Sequence, residues 1–498
     1  MTSRFAPSTA RRLIRAGFGD VARTERLLAD PALRSVLPDL AEPDDDVLAA
    51  FAVAADPDLA LLTLARLAGA VEPASSELLA RVWGDVEARA RLLAVTGASA
   101  ALGNALVARP ADLEILADDA PGTGVVAVAV REELLVAVGA DPRAGEPVAT
   151  AEDATSRMRR AYRARLLRIA ASDLAAGDPG QVMPAVGAAL ADLAGAALEA
   201  ALAIARAEVG GAGAARLAVI GMGKTGGREL NYVSDVDVVY VVEPGRGVSE
   251  DEAIAVGTRL ATALAAACSA TGTEPALWPV DAALRPEGKN GPLVRTLDSH
   301  RSYYERWAKG WEFQALLKAR PVAGDVEVGT AFTELVAPLV WSAAGRENFV
   351  EDTQAMRRRV VDTIPAGEAD AQIKLGPGGL RDVEFTVQLL QLVHGRADES
   401  IRSANTLEAL AALSAGGYVG REHAARFAEC YRFLRVLEHR VQLHQLRRTH
   451  LMPSAEPELR RLARAAGMRA EGAAGLVERW RQVRREVRAL HEAIFYRP

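Results

Sequence analysis

The sequence predicts an α+β protein that is mostly helix, with one small mixed sheet near its middle. Two observations predict it. From the start to about residue 210, apolar positions recur every three or four residues among Ala, Leu, Arg and Glu, the period of amphipathic helices. Between Arg216 and Leu284 that period gives way to short runs rich in Val, Ile and Tyr, which suit pleated strands. The helical period returns at Ser299 and runs to the end. The 498 residues therefore divide into a helical region 1–210, a sheet-containing core 211–335 and a helical bundle 336–498.

In order, Asp58–Leu67 and Glu77–Trp83 carry helical spacing, and Pro121-Gly122 and the stretch Asp141–Pro147 mark joints and loops. The helix expected over Met158–Leu174 carries Arg157, Arg159, Arg160, Arg163, Arg165 and Arg168 at or beside it, which reads as a solvated basic face. Gly210–Gly213 is a break. Arg216–Gly221, Val236–Val242 and Ala276–Leu284 read as strands, with a helix over Asp251–Cys268 between the second and third. Gly376–Gly379 opens a helix over Leu380–His394, and Phe427–Leu446 forms another long one.

Half the residues are apolar and 25% are charged, as in globular proteins, and the net charge of −6 speaks against bulk attraction to nucleic acid or anionic membrane. Cys268 and Cys430 sit far apart with no metal or redox spacing, so they read as buried thiols of a cytoplasmic protein. Arg15 interrupts the apolar pair Leu13-Ile14 at once, so no signal core forms, and no window is expected to reach the roughly 18 apolar residues of a membrane span.

The chemistry gathers at Leu217–Glu243. Gly221-Met-Gly-Lys-Thr-Gly226 matches G-x-G-x-x-G after a strand, but in a dinucleotide fold the acidic residue would come later and singly. A P-loop would need glycine where Ala218 stands. What remains is a glycine turn whose backbone N–H groups can approach a phosphate, with Lys224 adding charge. Asp235 and Asp237 are two apart at a strand's start, so both carboxylates project to one face. Like charges that close call for a cation, and Mg²⁺ prefers carboxylate oxygens with phosphates. Asp281 stands as a lone acid in an apolar run, a costly placement unless it is paired or metal-bound. Two carboxylates on one strand and one on the next fit metal-assisted phosphoryl or nucleotidyl transfer, and Arg285 follows just past the third.

The run Gly221–Asp237, G-M-G-K-x-G-G-R-E-L-N-x-x-S-D-x-D, resembles the signature of the glutamine synthetase adenylyltransferase/adenylyl-removing family, within the polymerase-β-like nucleotidyltransferases. Later pieces agree in order: Asp281–Pro286, Tyr303–Trp307, Glu312–Arg320, Lys374–Phe385 and Asn405–Leu410. The resemblance implies a polymerase-β-like core flanked by helical regions, and metal-binding roles for Asp235, Asp237 and Asp281. Gly221, Gly223 and Ser234 would cradle phosphate, with Lys224, Arg285, Lys318 and Arg320 as candidate countercharges. Family proteins have two catalytic halves. Met1, the helical lead-in and the R-E-L-N wording resemble the first half, which removes AMP from a tyrosine of glutamine synthetase by phosphorolysis and releases ADP, whereas the second half adds AMP from ATP. The chain is accordingly expected to be that first half, ending within the linker.

The implied partners are adenylylated glutamine synthetase, phosphate, ADP or ATP, and the nitrogen-signal protein PII as regulator. Two other readings stay open: a docking module for PII or glutamine synthetase, and a nucleotidyltransferase that modifies PII. Arg381 and Glu384 share a helix face, as a site pair or a plain ion pair. Trp307 and Trp311 have helical spacing that reads as core, and His439, His444 and His450 lack zinc spacing.

Overall fold

The computed structural model describes residues 9–70 and 73–496. Met1, where the expected first region begins, and the closing Arg497-Pro498 lie outside the described residues.

The sheet has five strands: β1 (Ala215–Gly221), β2 (Val236–Pro244), β3 (Val280–Asp281), β4 (Val294–Arg295) and β5 (Arg320–Gly324). Their order is β3-β2-β1-β5, with β4 also paired to β2. β1 runs antiparallel to β2, from Ala215 opposite Pro244 to Gly221 opposite Val238, and antiparallel to β5. β3 and β4 run parallel to β2, and β3 holds it through just two register pairs, Val236–Val280 and Asp237–Asp281. Residues Leu217–Gly221 and Val238–Val242 are buried in succession, not in alternation, because both faces of the central strands are covered. The helices Glu250–Ser269 and Val326–Ser342 pack on these strands. Ser249 caps the first by accepting from Glu252 N, and Asp325 caps the second by accepting from Val328 N. Asp325 also takes a bidentate pair from Arg216 of β1 at 2.8 and 3.1 Å, so cap and strand are fastened together. Ile220, Val239, Val241, Phe313, Phe332 and Phe385 belong to the core beneath.

The chain separates into two compact units. One gathers Met1–Thr123, Leu167–Met183 and Val436–Arg481. It is helical, and inside it Arg440 and Asp173 form a buried ion pair while Ser99 Oγ donates to Leu443 O at 2.6 Å. The other gathers Gly124–Leu166, Pro184–Arg435 and Gln482–Pro498, and holds the sheet and every residue of the site below.

The α+β class is as expected, with most helices near their expected bounds; Leu380–His394 matches at both ends, and the long helix expected over Phe427–Leu446 runs Arg421–Leu443. Cys268 and Cys430 are both buried thiols. Several expectations need correction. The third strand is two residues long, because Leu277 N donates to Cys268 O and ties the preceding stretch to a helix end instead of the sheet. β4 and β5 were not expected; two residues show no period, and Pro321 obscures β5.

The basic helix, which runs Ala154–Leu174, does not present a uniformly solvated face. Arg159, 1% exposed, donates to Ala267 O, Ala270 O and Glu274 O at 2.8–3.1 Å, and Arg163 donates to Pro275 O and Ala276 O. Arg159 serves the carbonyl end of the Glu250–Ser269 helix, where orphan acceptors and the dipole favour positive charge, and Arg163 holds the loop that follows it. Only Arg157 and Arg160 take the exposed role, both pairing with Asp153. Trp307 and Trp311 do not share a helix, since one helix ends at Arg306 and the next starts at Gly310. Finally, Pro179–Glu208 is long and apolar enough to cross a membrane by length and composition, contrary to expectation, but 89% of its apolar window is buried in the structure. Its alanines permit that close packing, and its Glu199 accepts from Gly324 N at 2.7 Å and pairs with Arg131 and Arg206.

Candidate active site

The site starts from the turn between β1 and β2. Gly223 adopts φ +51°, and a Cβ there would lie 2.8 Å from Asp237 Oδ2, so only glycine lets the backbone press against that carboxylate. Met222 N donates to Asp237 O at 2.9 Å, closing the turn over the start of β2. Gly226 sits so close to Lys318 O that a Cβ would be 1.7 Å away. Arg320 then fixes the turn, donating from Nε to Gly226 O and from Nη2 to Thr225 O, each at 3.0 Å.

Three carboxylates meet beside this turn. Asp237 and Asp281 are register partners across β2 and β3, and Asp235 precedes β2 by one residue. One carboxylate oxygen from each lies within 4.8 Å of the others. Val236 N donates to Pro279 O at 3.0 Å, and Ala283 N donates to Asp281 Oδ1 at 2.8 Å, so the backbone sets the third acid. Burial, and then the charges of Asp235 and Asp281, push the Asp237 carboxyl up to about 6; Lys374 and Arg381 act in the opposite direction. An all-oxygen, triply acidic donor set fits a hard divalent cation.

Asp235 and Asp237 open into a cleft of about 410 Å³. Gly223, Lys224, Ser234 and Lys318 line it with Asp235 and Asp237, and Lys374, Arg381 and Glu384 line it from a second segment of the chain. Glu384 is 2% exposed, accepts from Arg381 at 3.1 Å through Oε2, and leaves Oε1 without a hydrogen bond among the described residues. Burial alone would raise its pKa, yet Arg381, Lys224, Lys318 and Lys374 together hold it down at about 2. It is therefore a fixed anion that gathers cations around the cleft. Loop geometry places one of them: Arg381 N and Leu380 N donate to Lys374 O and Ile373 O, both at 3.0 Å.

The structure brings Asp235, Asp237, Asp281, Gly223, Lys224, Ser234 and Lys318 together, but separates the other candidates from the cleft lining. Lys318 is buried against Glu229 and Thr406, so its charge is already matched. Arg285 spends its guanidinium on Ala282 O, Lys289 O, Gly291 O and Pro292 O, folding its own loop. Arg320 anchors the turn, and Gly221 is buried against Val322 and Thr225. Sequence reasoning did not single out Lys374, Gln314 or Gln388, which also line the cleft. Lys374 and Gln314 fall within the pieces Lys374–Phe385 and Glu312–Arg320 that carry the resemblance, without a role being given to either, whereas Gln388 carried no signal.

Residues 89–335 match the family model described as Glutamate-ammonia ligase adenylyltransferase, and residues 352–495 match that described as GlnD PII-uridylyltransferase. A bifunctional glutamine synthetase adenylyltransferase/adenylyl-removing enzyme of Streptomyces avermitilis is 52% identical over 494 residues, covering 99% of this chain and 47% of the relative. Proteins of the same description from Leifsonia xyli and Streptomyces coelicolor are 50% and 51% identical, covering 98% and 100% of this chain and 48% of each relative. The chain spans about half the length of the curated relatives it matches.

Proposed function

Because the chain belongs to the family of bifunctional glutamine synthetase adenylyltransferase/adenylyl-removing enzymes, we propose that it is the half that removes AMP. In this reading phosphate attacks the phosphorus of adenylyl-tyrosine on glutamine synthetase. The bond from phosphorus to the tyrosine oxygen breaks, ADP leaves, and the tyrosinate takes up a proton. The observation that carries the reading is the set of three carboxylates within 4.8 Å at the edge of a cleft that also holds Lys224, Lys374 and Arg381.

Asp235, Asp237 and Asp281 would hold Mg²⁺, which when bound supplies charge neutralisation for the AMP phosphate and the departing oxygen. The remaining work falls to the chain. Inorganic phosphate is itself anionic, so its approach to a phosphodiester needs cations beyond those at the acids. Lys224, Lys374 and Arg381 take that task, with Glu384 holding Arg381 in place. The hydroxyl of Ser234 and the backbone of the Gly223 turn orient the phosphate. Lys318, Arg320 and Arg285 act as supports, through Glu229, the turn carbonyls and the loop after Asp281 respectively.

The test is to incubate adenylylated glutamine synthetase with the protein, Mg²⁺ and phosphate, and to follow ADP. Phosphate-dependent ADP release is expected, and its loss by at least 100-fold in the variant with Asp235→Asn and Asp237→Asn. Equal release by that variant would overturn the reading. The match of residues 352–495 to a PII-uridylyltransferase model supports a second reading, in which a PII protein docks on this helical region as regulator. PII binding that survives the two aspartate substitutions, with little ADP release by the unaltered protein, would favour it.

A further inference from the structure

One side of the cleft carries two polar groups with no part in the chemistry above. Gln314, on the helix Gly310–Leu316, and Gln388, on Leu380–His394, are 6% and 8% exposed. Gln314 Nε2 donates to Gln388 Oε1 at 2.8 Å. That bond uses one donor and one acceptor, and leaves Gln314 Oε1 and Gln388 Nε2 without a partner among the described residues. Neither atom is among the polar atoms sealed from solvent, and both residues line the cleft, so the cleft is where these atoms are open. Turning both amides over exchanges oxygen and nitrogen but still presents one donor and one acceptor. The same cleft supplies apolar surface from Leu284, Trp311, Met356 and Phe385.

An interlocked amide pair on two different helices, flanked by an aromatic and aliphatic wall, is what a heterocycle with an adjacent donor and acceptor requires. The face of the ring lies against the wall, and its edge meets the pair. We infer that Gln314 and Gln388 form a base-reading pair that hydrogen-bonds the amino-nitrogen edge of a purine while the base packs against Trp311 and its neighbours. The inference rests on the proposed nucleotide chemistry and adds the residues that select the base. A merely structural amide pair would tie the two helices without distinguishing a nucleotide from its phosphates.

Calorimetric titration of the whole protein with Mg²⁺ separates these cases, using ADP, pyrophosphate and N6,N6-dimethyl-ADP as probes. Pyrophosphate carries the phosphates without the base, and dimethylation removes the donor from the base edge. ADP is expected to bind more tightly than pyrophosphate. Gln314→Leu and Gln388→Leu should each weaken ADP by about fivefold or more, the usual effect of one lost hydrogen bond, and leave pyrophosphate within about twofold. Dimethyl-ADP should suffer a similar loss on the unaltered protein, a measurement that needs no variant to fold. ADP affinity unchanged by both substitutions and by dimethylation would overturn the base-reading pair alone. Failure of the unaltered protein to bind either ADP or pyrophosphate would overturn the proposed function together with it.

Discussion

Two lysines of the cleft look alike in the sequence and differ in what surrounds them. Lys318 is buried in an ion pair with Glu229, which also accepts from Thr406 N at 2.8 Å. Removing the lysine strands a buried carboxylate, so Lys318→Ala should cost about 3–5 kcal/mol of stability in denaturant titration. Lys374 is half-buried and faces the cleft, so Lys374→Ala should leave stability within about 1 kcal/mol and reduce phosphate-dependent turnover at least tenfold. Gly223→Ala should fail on both counts. The left-handed backbone there costs a side chain about 1–2 kcal/mol, and the added methyl group meets Asp237 Oδ2. Its ADP release should fall to the level of the double aspartate variant. Asp235, Asp237 and the turn were legible because spacing along one strand fixes the face of each side chain. The partners of Lys318 and Arg285 were not, because Glu229 and the carbonyls around Gly291 are brought to them by folding, which charge type alone does not reveal.

Among the elements, the stretch that carries Lys374 is fastened by one buried pair. Arg357, on the helix Phe349–Asp362, meets Asp382 at 2.6 Å, and also donates to Leu375 O at 3.1 Å. Asp382 in turn accepts from Gly378 N at 2.6 Å. Asp382→Ala therefore removes a buried charge partner and a turn clamp at once. It should destabilise the protein by about 3–5 kcal/mol and lower turnover without touching the three site aspartates, as denaturation and ADP assays together would show. Long helices were legible from period alone, as Leu380–His394 illustrates. The short extent of β3 and the presence of β4 and β5 were not, since a two-residue strand or one containing Pro321 is defined by its partner in the sheet. The role of Arg159 was hidden for the same reason: its acceptors at Ala267, Ala270 and Glu274 lie more than a hundred residues away.

At the scale of the whole molecule, stability should depend on acid through a residue outside the site. His300 is 1% exposed, 5.8 Å from the Tyr304 ring and 5.1 Å from that of Phe332. Burial, with the charge of Arg295, pushes its imidazole down to about 3. The folded protein thus keeps it neutral where the unfolded chain protonates it. Its contribution is intact above pH 6.5 and is lost as pH falls toward 3, amounting to about 2–3 kcal/mol between pH 7 and 4.5. His300→Phe should flatten that part of the stability profile, measured by denaturant titration at the two pH values.

The short pairing of β3 with β2 has a consequence for motion. The strand that delivers Asp281 rests on two register pairs at the sheet's edge, and its acid faces two others. Charge repulsion at that edge works to peel the strand away, and a bound cation would work to close it. The amide of Val236, which donates to Pro279 O, is therefore a local reporter. Its hydrogen exchange should slow when Mg²⁺ is added, and should not respond when Asp235 and Asp237 are asparagine. Occupancy of the site would then be readable as the persistence of a single edge hydrogen bond, with no substrate present.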